Sequence, residues 1–189
     1  MRLNQFQLAA LTRRDFVESA VALAATSLAA GQTLAAEAKP AGRPAGPNDK
    51  LRVAVVGGNG RGSSHISEWI AIPDTELAVV CDCDPNAYNK YAKRFDKLPN
   101  KVEFEQDIRK LLDRNDIDII SIASPNHWHA LMTIWAMQAG KGVYVEKPGS
   151  YTVDEGRQMV KWARKLGRMC QMGAQSRSTT GMRQTLEFI

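Results

Sequence analysis

Apolar residues along this chain fall into short uninterrupted runs, separated by segments in which apolar positions recur at helical spacing. Short runs of this kind predict strands that are buried on both faces, and the segments between them predict helices. The pattern predicts six strands, at residues 51–56, 76–81, 102–104, 118–123, 142–145 and 168–173. Because strands and helices alternate, we expect an α/β fold with a Rossmann-type, doubly wound parallel sheet.

The segment before the first strand has the composition of an export signal followed by a tether. Residues 12–17, Thr-Arg-Arg-Asp-Phe-Val, resemble the twin-arginine export signal, and an uncharged alanine-rich stretch follows at 19–36. A small-x-small cleavage site, Ala-Glu-Ala, closes that stretch. We therefore expect a signal peptide at 1–38, export to the periplasm with only transient membrane contact, and a linker at 39–50.

A glycine-rich turn, Gly-Gly-Asn-Gly-Arg-Gly at 57–62, joins the first strand to a predicted helix. In this context the turn lets the backbone approach a pyrophosphate, and the helix N-terminus offers free N–H groups and partial positive charge. The register that begins at Gly57 puts Asn59 where the fingerprint has its second glycine and Gly62 at its third. A register from Gly58 begins one residue late, and a purely structural turn is the alternative.

The second strand ends at a carboxylate, Asp82, which lies 25 residues after Gly57. This spacing is near that of the acid that binds the adenosine ribose hydroxyls in dinucleotide-binding folds. A carboxylate accepts hydrogen bonds from both hydroxyls and repels a 2′-phosphate, so Asp82 predicts NAD rather than NADP. Asp84 and Pro85, in contrast, are typical of a helix cap.

The fifth strand ends in Glu146-Lys147-Pro148. Pro148 has a fixed φ and no N–H, so the strand cannot continue there. Ligands of open α/β sheets bind outside the carboxyl ends of the strands, which places Lys147 where a cofactor or substrate would lie. From position alone, the alternative is an ordinary solvated lysine.

The charge, cysteines and histidines of the chain argue against a nucleic-acid surface and against a metal site. The net charge of +5 is spread without a block of like charges, which favours small anionic ligands over a nucleic-acid surface. Cys81 and Cys83 are too close in sequence for an easy disulfide, and no second Cys/His pair stands at zinc spacing. We therefore expect these two cysteines and Cys170 to be core or half-buried thiols. His127 and His129 lack a further ligand at metal spacing, so we expect no metal and a cofactor-lining or helix-capping role.

Five segments carry the most specific motifs of the chain. They are Val-Val-Gly-Gly-Asn-Gly-Arg-Gly at 55–62, Cys-Asp-Cys-Asp-Pro at 81–85, Ala-Ser-Pro-Asn-His-Trp-His-Ala at 123–130, Val-Glu-Lys-Pro at 145–148, and Gln-Met-Gly-Ala-Gln-Ser-Arg-Ser at 171–178. In this order they resemble the Gfo/Idh/MocA oxidoreductase family, over roughly residues 51 to 189. The resemblance implies a dinucleotide-binding Rossmann domain at 51–174 and the start of an α/β substrate domain at 175–189.

The resemblance also assigns each matching residue to one part of the cofactor or to the substrate. It implies NAD as the cofactor and Lys147 as the catalytic residue that polarises the substrate's hydroxyl or carbonyl. The residues implied for cofactor binding are Gly57, Asn59, Arg61 and Gly62 at the pyrophosphate, Asp82 at the adenosine ribose, Pro125, Asn126 and His129 on the nicotinamide side, and Glu146 at the nicotinamide ribose.

The family implies hydride transfer at a carbon bearing a hydroxyl, on a sugar or cyclitol, by a homo-oligomer when full length. An NAD-dependent glycosidase of the same superfamily and a non-catalytic dinucleotide-binding module are alternatives. Family members usually carry the proton acceptor as a histidine, in an Asp-x-x-x-His pattern on the second domain. The histidines here, His65, His127 and His129, all precede that domain. We therefore expect a C-terminally truncated chain that is inactive in isolation.

Overall fold

The computed structural model describes residues 49–188, so the predicted signal peptide and nearly all of the predicted linker lie outside the described residues. Six strands form a sheet in which every neighbouring pair is parallel, in the order β3-β2-β1-β4-β5-β6. The predicted doubly wound parallel sheet is confirmed. The strands are β1 (Leu51–Val56), β2 (Thr75–Cys81), β3 (Glu103–Glu105), β4 (Ile119–Ile122), β5 (Gly142–Val145) and β6 (Cys170–Met172).

Helices follow the strands, and local capping fixes several of their ends. Asp107 caps α4 (Ile108–Asp113) by accepting a hydrogen bond from Arg109 N at 2.9 Å. Thr152 and Glu155 form a capping box at the start of α6 (Val153–Leu166), which is followed by Gly167 in left-handed backbone. Within residues 49–188, no helix has the length and apolar character that a bilayer crossing requires. The helices are α1 (Gly62–Ala71), α2 (Asn86–Asn89), α3 (Ala92–Phe95), α4 (Ile108–Asp113), α5 (Asn126–Gln138), α6 (Val153–Leu166), a 3-10 turn (Gln175–Ser178) and α7 (Thr180–Phe188).

The central strand β1 is buried on both faces. Ala54 and Val56 belong to one apolar cluster, whereas Val55 belongs to a second one. Successive side chains of a strand point to opposite faces, so the two clusters lie on opposite sides of the sheet. This two-sided burial explains why the strands read as continuous apolar runs. The first cluster also contains Ile120, Ile122, Ala136 and Met137, and the second contains Ile66, Leu77, Val80 and Phe95.

The helix α5 begins earlier than the apolar periodicity predicts. Periodicity places its start near Leu131, but the first helical residue is Asn126. Pro125 stands at the boundary with φ −58°, and proline favours such a position because its φ is already helical. Polar and aromatic residues fill the first turn, so they add nothing to the apolar period. His127 and His129 therefore lie in the first turn of this helix.

The cysteines of the described residues are free thiols. Cys81 is buried and Cys170 is half-buried, as the sequence predicts, but Cys83 is exposed. The prediction for Cys83 was wrong because Cys83 lies beyond the last residue of β2, where no helix covers it. Burial, together with nearby carboxylates, raises the pKa of Cys81 to about 12, so this thiol stays protonated.

Candidate functional site

The turn between β1 and α1 brings two backbone segments into close contact. Gly57 has φ 87°, and a Cβ there would lie 2.7 Å from the carbonyl oxygen of Ala123, at the end of β4. A Cβ on Gly62 would lie only 1.7 Å from the carbonyl oxygen of Gly57. Real Cβ atoms do not approach this closely, so both positions require glycine. This turn, called the glycine cradle below, is thus held at the N-terminus of α1 by backbone contacts that only glycine allows.

Asn59 contributes to this turn through its backbone. Among residues 49–188 only glycines have positive φ, so Asn59 does not use the left-handed conformation that asparagine tolerates. Its carbonyl oxygen accepts a hydrogen bond from Gly62 N at 2.9 Å, and the residue is exposed. The left-handed conformations fall on Gly57 and Gly60 instead. The role of Asn59 at a pyrophosphate stays a prediction.

Asp82 ties the end of β2 to the glycine turn. Its Oδ2 accepts a hydrogen bond from Gly58 N at 2.8 Å, and its Oδ1 accepts one from Asp84 N at 3.0 Å. A carboxylate has about four acceptor positions, so each oxygen can still accept from a ligand hydroxyl. Asp82 is therefore fixed in place and able to hold a ribose beside the turn.

A cavity of about 600 Å³ opens at the carboxyl ends of the strands, next to Asp82. This volume lies in the usual range for cofactor pockets. Ser124 lines this cavity, and its hydroxyl is buried without a hydrogen-bond partner within the described part of the chain. Such a group needs a partner, and a bound ligand can supply it. The cavity is lined by Val56, Gly57, Cys81, Asp82, Cys83, Gln106, Asp107, Ile108, Arg109, Ser124, Pro125, Trp128, Met132 and Trp135.

A buried carboxylate, Glu146, lies at the end of β5 and is only 4% exposed. Its Oε1 accepts from Arg61 Nε at 2.8 Å, lies 3.2 Å from His65 Nε2 and also accepts from the side-chain amide of Gln175. Its Oε2 accepts from the backbone N–H of Lys147 at 2.9 Å. Glu146 thus joins the glycine turn, α1, the end of β5 and the segment after β6.

These contacts decide the charge of Glu146. Burial by itself raises the pKa of the carboxyl group, but hydrogen bonds from Arg61, His65 and the Lys147 N–H outweigh it. The pKa of Glu146 is held at about 2. The group is therefore a carboxylate at neutral pH, beside the exposed side chain of Lys147.

His129 is almost fully buried and braces two loops. Its Nδ1 lies 2.7 Å from the carbonyl oxygen of Pro148, and its Nε2 lies 2.8 Å from that of Ser124. Both partners accept, so a neutral ring can donate to only one of them. His129 joins the loop that carries Pro125 to the loop that carries Lys147. Its direct role at a nicotinamide stays a prediction.

The structure brings most of the predicted residues to one edge of the sheet. Gly57, Asp82 and Pro125 line the cavity, and Arg61 and Lys147 meet through Glu146. Asn126 and His127 are exposed at the start of α5. Within the described residues, no three His, Cys, Asp or Glu side chains lie close enough to hold a metal ion.

Sequence reasoning missed His65, Ser124 and Trp128. Ser124 and Trp128 stand in a quoted motif, so their nearness to Pro125 was the available signal. His65 offered only its position on the first helix. The glycine cradle, the fixed Asp82 and the unpartnered Ser124 hydroxyl together fit a dinucleotide.

Comparison with known proteins also indicates a dinucleotide-binding domain. Residues 51–174 match the family described as the oxidoreductase family with an NAD-binding Rossmann fold, Gfo/Idh/MocA. A glycosyl hydrolase family 109 protein of Shewanella pealeana is 35% identical over 177 residues, which are 86% of this chain and 39% of that protein. The chain thus spans about two fifths of the length of this relative.

Two solved structures are similar in fold and sequence. Myo-inositol 2-dehydrogenase from Lactobacillus plantarum has a TM-score of 0.68 and 25% identity, over 74% of this chain and 41% of that one. The WlbA dehydrogenase from Chromobacterium violaceum, in complex with NADH and UDP-GlcNAcA, has a TM-score of 0.63 and 28% identity, over 71% of this chain and 38% of that one. The chain therefore belongs to the Gfo/Idh/MocA family of oxidoreductases, and residues 51–174 form its NAD-binding Rossmann domain.

Proposed function

We propose that this chain supplies the nucleotide-binding part of an enzyme that oxidises a hydroxyl-bearing carbon of a sugar or cyclitol. One juxtaposition carries the proposal: the exposed Lys147 stands beside the buried carboxylate of Glu146 at the sheet edge that also holds the glycine cradle. The names of the similar structures support the substrate class, since one acts on myo-inositol and the other binds a nucleotide sugar.

Each part of the site has a physical task in this proposal. The cradle at Gly57 and Gly62 receives the pyrophosphate, where the N-terminus of α1 favours negative charge. Asp82 accepts from the adenosine ribose hydroxyls, and Ser124 offers a hydroxyl from the cavity wall. When bound, NAD supplies the hydride acceptor.

Lys147 acts on the substrate oxygen. A lysine ammonium carries three donors and no acceptor, so it hydrogen-bonds to the substrate oxygen and stabilises negative charge there. The hydroxyl proton passes to a separate base, which this family usually carries as a histidine on its second domain. The carboxylate of Glu146 accepts a hydrogen bond from the backbone N–H of Lys147 and so orients this segment. Pro148 follows directly, and its carbonyl oxygen is fixed by His129. Lys147 is thus an exposed cation on a braced loop.

A second candidate is an NAD-dependent glycosidase. The name of the Shewanella pealeana relative favours it, because that protein is a glycosyl hydrolase family 109 member. Such an enzyme oxidises the sugar, eliminates the aglycone, adds water to the unsaturated sugar and reduces it again, so the cofactor is regenerated. Both candidates share the first oxidation, and the residues described above serve it in the same way.

One assay separates the two candidates. The complete gene product that contains this chain is incubated with NAD and a panel of sugars and inositols, and with 4-nitrophenyl glycosides. A dehydrogenase accumulates NADH in proportion to the oxidised sugar. A glycosidase releases 4-nitrophenol only when NAD is bound, with no net NADH. In either case, deuterium at the reacting carbon slows the reaction. Turnover that persists after the cofactor is stripped away would contradict both candidates.

We also propose that the protein leaves the cytoplasm by the twin-arginine route. The motif at residues 12–17 supports this, although it lies outside the described residues. Replacing Arg13 and Arg14 together by lysine keeps the charge and removes the twin-arginine signature. We expect the double variant to stay in the cytoplasm, whereas the wild type is recovered from the periplasm after cell fractionation. Equal periplasmic amounts of the two proteins would show another export route.

A further inference from the structure

His65 lies on α1 and has no assigned role in binding the cofactor. Its side chain is 5% exposed. Nδ1 lies 2.9 Å from the Ser121 hydroxyl of β4, and Nε2 lies 3.2 Å from Oε1 of Glu146 at the end of β5. The imidazole therefore contacts one side chain of β4 and the carboxylate that directly follows β5, next to Lys147.

The chemistry of its partners fixes the direction of both hydrogen bonds. A carboxylate only accepts, so Nε2 of His65 carries the proton that is donated to Glu146. The indole N–H of Trp69 donates to the Ser121 hydroxyl oxygen at 2.8 Å. The Ser121 hydroxyl proton then points to Nδ1 of His65, which accepts it. Trp69, Ser121, His65 and Glu146 form a continuous chain of donors in one direction.

The surroundings keep the ring neutral and hold its orientation. Burial lowers the pKa of His65, with the charges of Arg61 and His129 acting in the same direction, and this outweighs the contact with Glu146, which raises it. The ring of Tyr144 packs edge-on against His65, with centroids 5.4 Å apart, and against Trp69 at 6.4 Å. The imidazole therefore has one favoured position and one favoured tautomer.

We infer that His65 is a positioning residue of this site: in its Nε2–H tautomer it holds the Glu146 carboxylate in the orientation that receives the nicotinamide ribose. The inference rests on the proposed function and on the role at the nicotinamide ribose that the family resemblance implies for Glu146. Without His65, Oε1 of Glu146 keeps Arg61 and Gln175 as donors, and both come from segments outside the sheet. His65 is the donor that connects this carboxylate to the core, through Ser121 of β4.

Binding of NADH to the chain tests the inference through two replacements of different chemistry. His65→Leu fills similar space and cannot donate, so we expect NADH affinity to fall about tenfold or more, as for a lost hydrogen bond to a buried charge. His65→Gln carries an amide N–H that can donate to Glu146, and we expect it to restore affinity to within about threefold of wild type. Lys161→Leu, at an exposed position of α6 outside the site, is the control, with unchanged affinity.

Nuclear magnetic resonance of the ring nitrogens shows which nitrogen of His65 carries the proton. A simple loss of stability does not change this property. The chain has three histidines, so single variants assign the signals. We expect the proton of His65 on Nε2 in the wild type. Ser121→Ala removes the donor to Nδ1, so the Nδ1–H tautomer is expected to become populated and NADH affinity to weaken.

The outcomes separate the inference from the proposed function. If the wild type binds NADH but His65→Leu and His65→Gln bind it equally well, His65 does not position Glu146, and the cofactor site stands. A proton on Nδ1 in the wild type contradicts the inference in the same way. If the wild type binds no NADH, the proposed function and the inference both fail.

Discussion

Gly62→Ala is expected to abolish NAD binding by this chain, with NADH affinity reduced by more than about a hundredfold. The new methyl group would lie 1.7 Å from the carbonyl oxygen of Gly57, so one of the two segments must move. The Gly57 side cannot yield, because that residue packs against the Ala123 carbonyl and has φ 87°. Movement of the turn or of α1 removes the cradle that faces the pyrophosphate. Overpacking of this kind also lowers stability, typically by about 1–3 kcal/mol.

Gly60→Ala is the matched control in the same turn. Gly60 has φ 52°, and nothing lies within 4 Å of a Cβ added there. The variant therefore carries backbone strain of about 1–2 kcal/mol without a clash. Titration calorimetry with NADH and thermal unfolding of both variants separate the two effects. Gly60→Ala should lose stability and keep affinity, whereas normal affinity in Gly62→Ala would show that the turn does not contact the cofactor.

Lys147→Ala is expected to reduce kcat/KM of the complete gene product by about a hundredfold or more, with NADH affinity changed only a few-fold. A positioned proton-transfer or polarising group typically contributes at least this factor. The side chain of Lys147 is exposed, so its removal leaves no cavity in the core. Its backbone N–H, which holds Oε2 of Glu146, is retained in the variant. The loss therefore falls on the chemical step, not on folding.

Two further variants sharpen this measurement. Lys147→Arg keeps the charge but spreads it over a planar group, so only partial activity is expected. Lys161→Ala removes an exposed lysine from α6 and should leave kcat/KM unchanged. Steady-state rates and single-turnover rates with a deuterated substrate locate the affected step. Activity of Lys147→Ala within a few-fold of wild type would exclude Lys147 from catalysis.

The sequence predicts the ends of a strand correctly where residues that stop a strand lie directly beside it. β1 and β5 match the prediction at both ends, because a glycine pair and Glu146-Lys147-Pro148 stop them. The start of α5 was missed, since its first turn is polar and aromatic and contributes no apolar period. β6 is shorter than predicted, as it pairs on one side only, with β5.

Some residues of the site could be placed from their position beside a strand, whereas contacts between residues far apart in the sequence could not. Gly57, Gly62 and Asp82 stand next to strand ends, so topology alone places them at one edge of the sheet. The partnership of His65 with Glu146 joins residues 81 positions apart, and no spacing in the sequence encodes it. The pairing of Arg61 with Glu146 was hidden for the same reason. Contacts of this kind depend on how α1 packs against the sheet.

β1 is the first strand in the described part of the chain, yet it lies at the centre of the sheet, between β2 and β4. During synthesis β1 keeps one edge unpaired until β4 has emerged from the ribosome, and pairings of such sequence separation form slowly. The glycine turn also reaches its final conformation only after β4 has paired, because Gly57 packs against the Ala123 carbonyl at the end of β4. Nucleotide affinity is therefore acquired only when the two halves of the sheet have joined. Binding of NADH is thus expected to report that β4 has paired with β1.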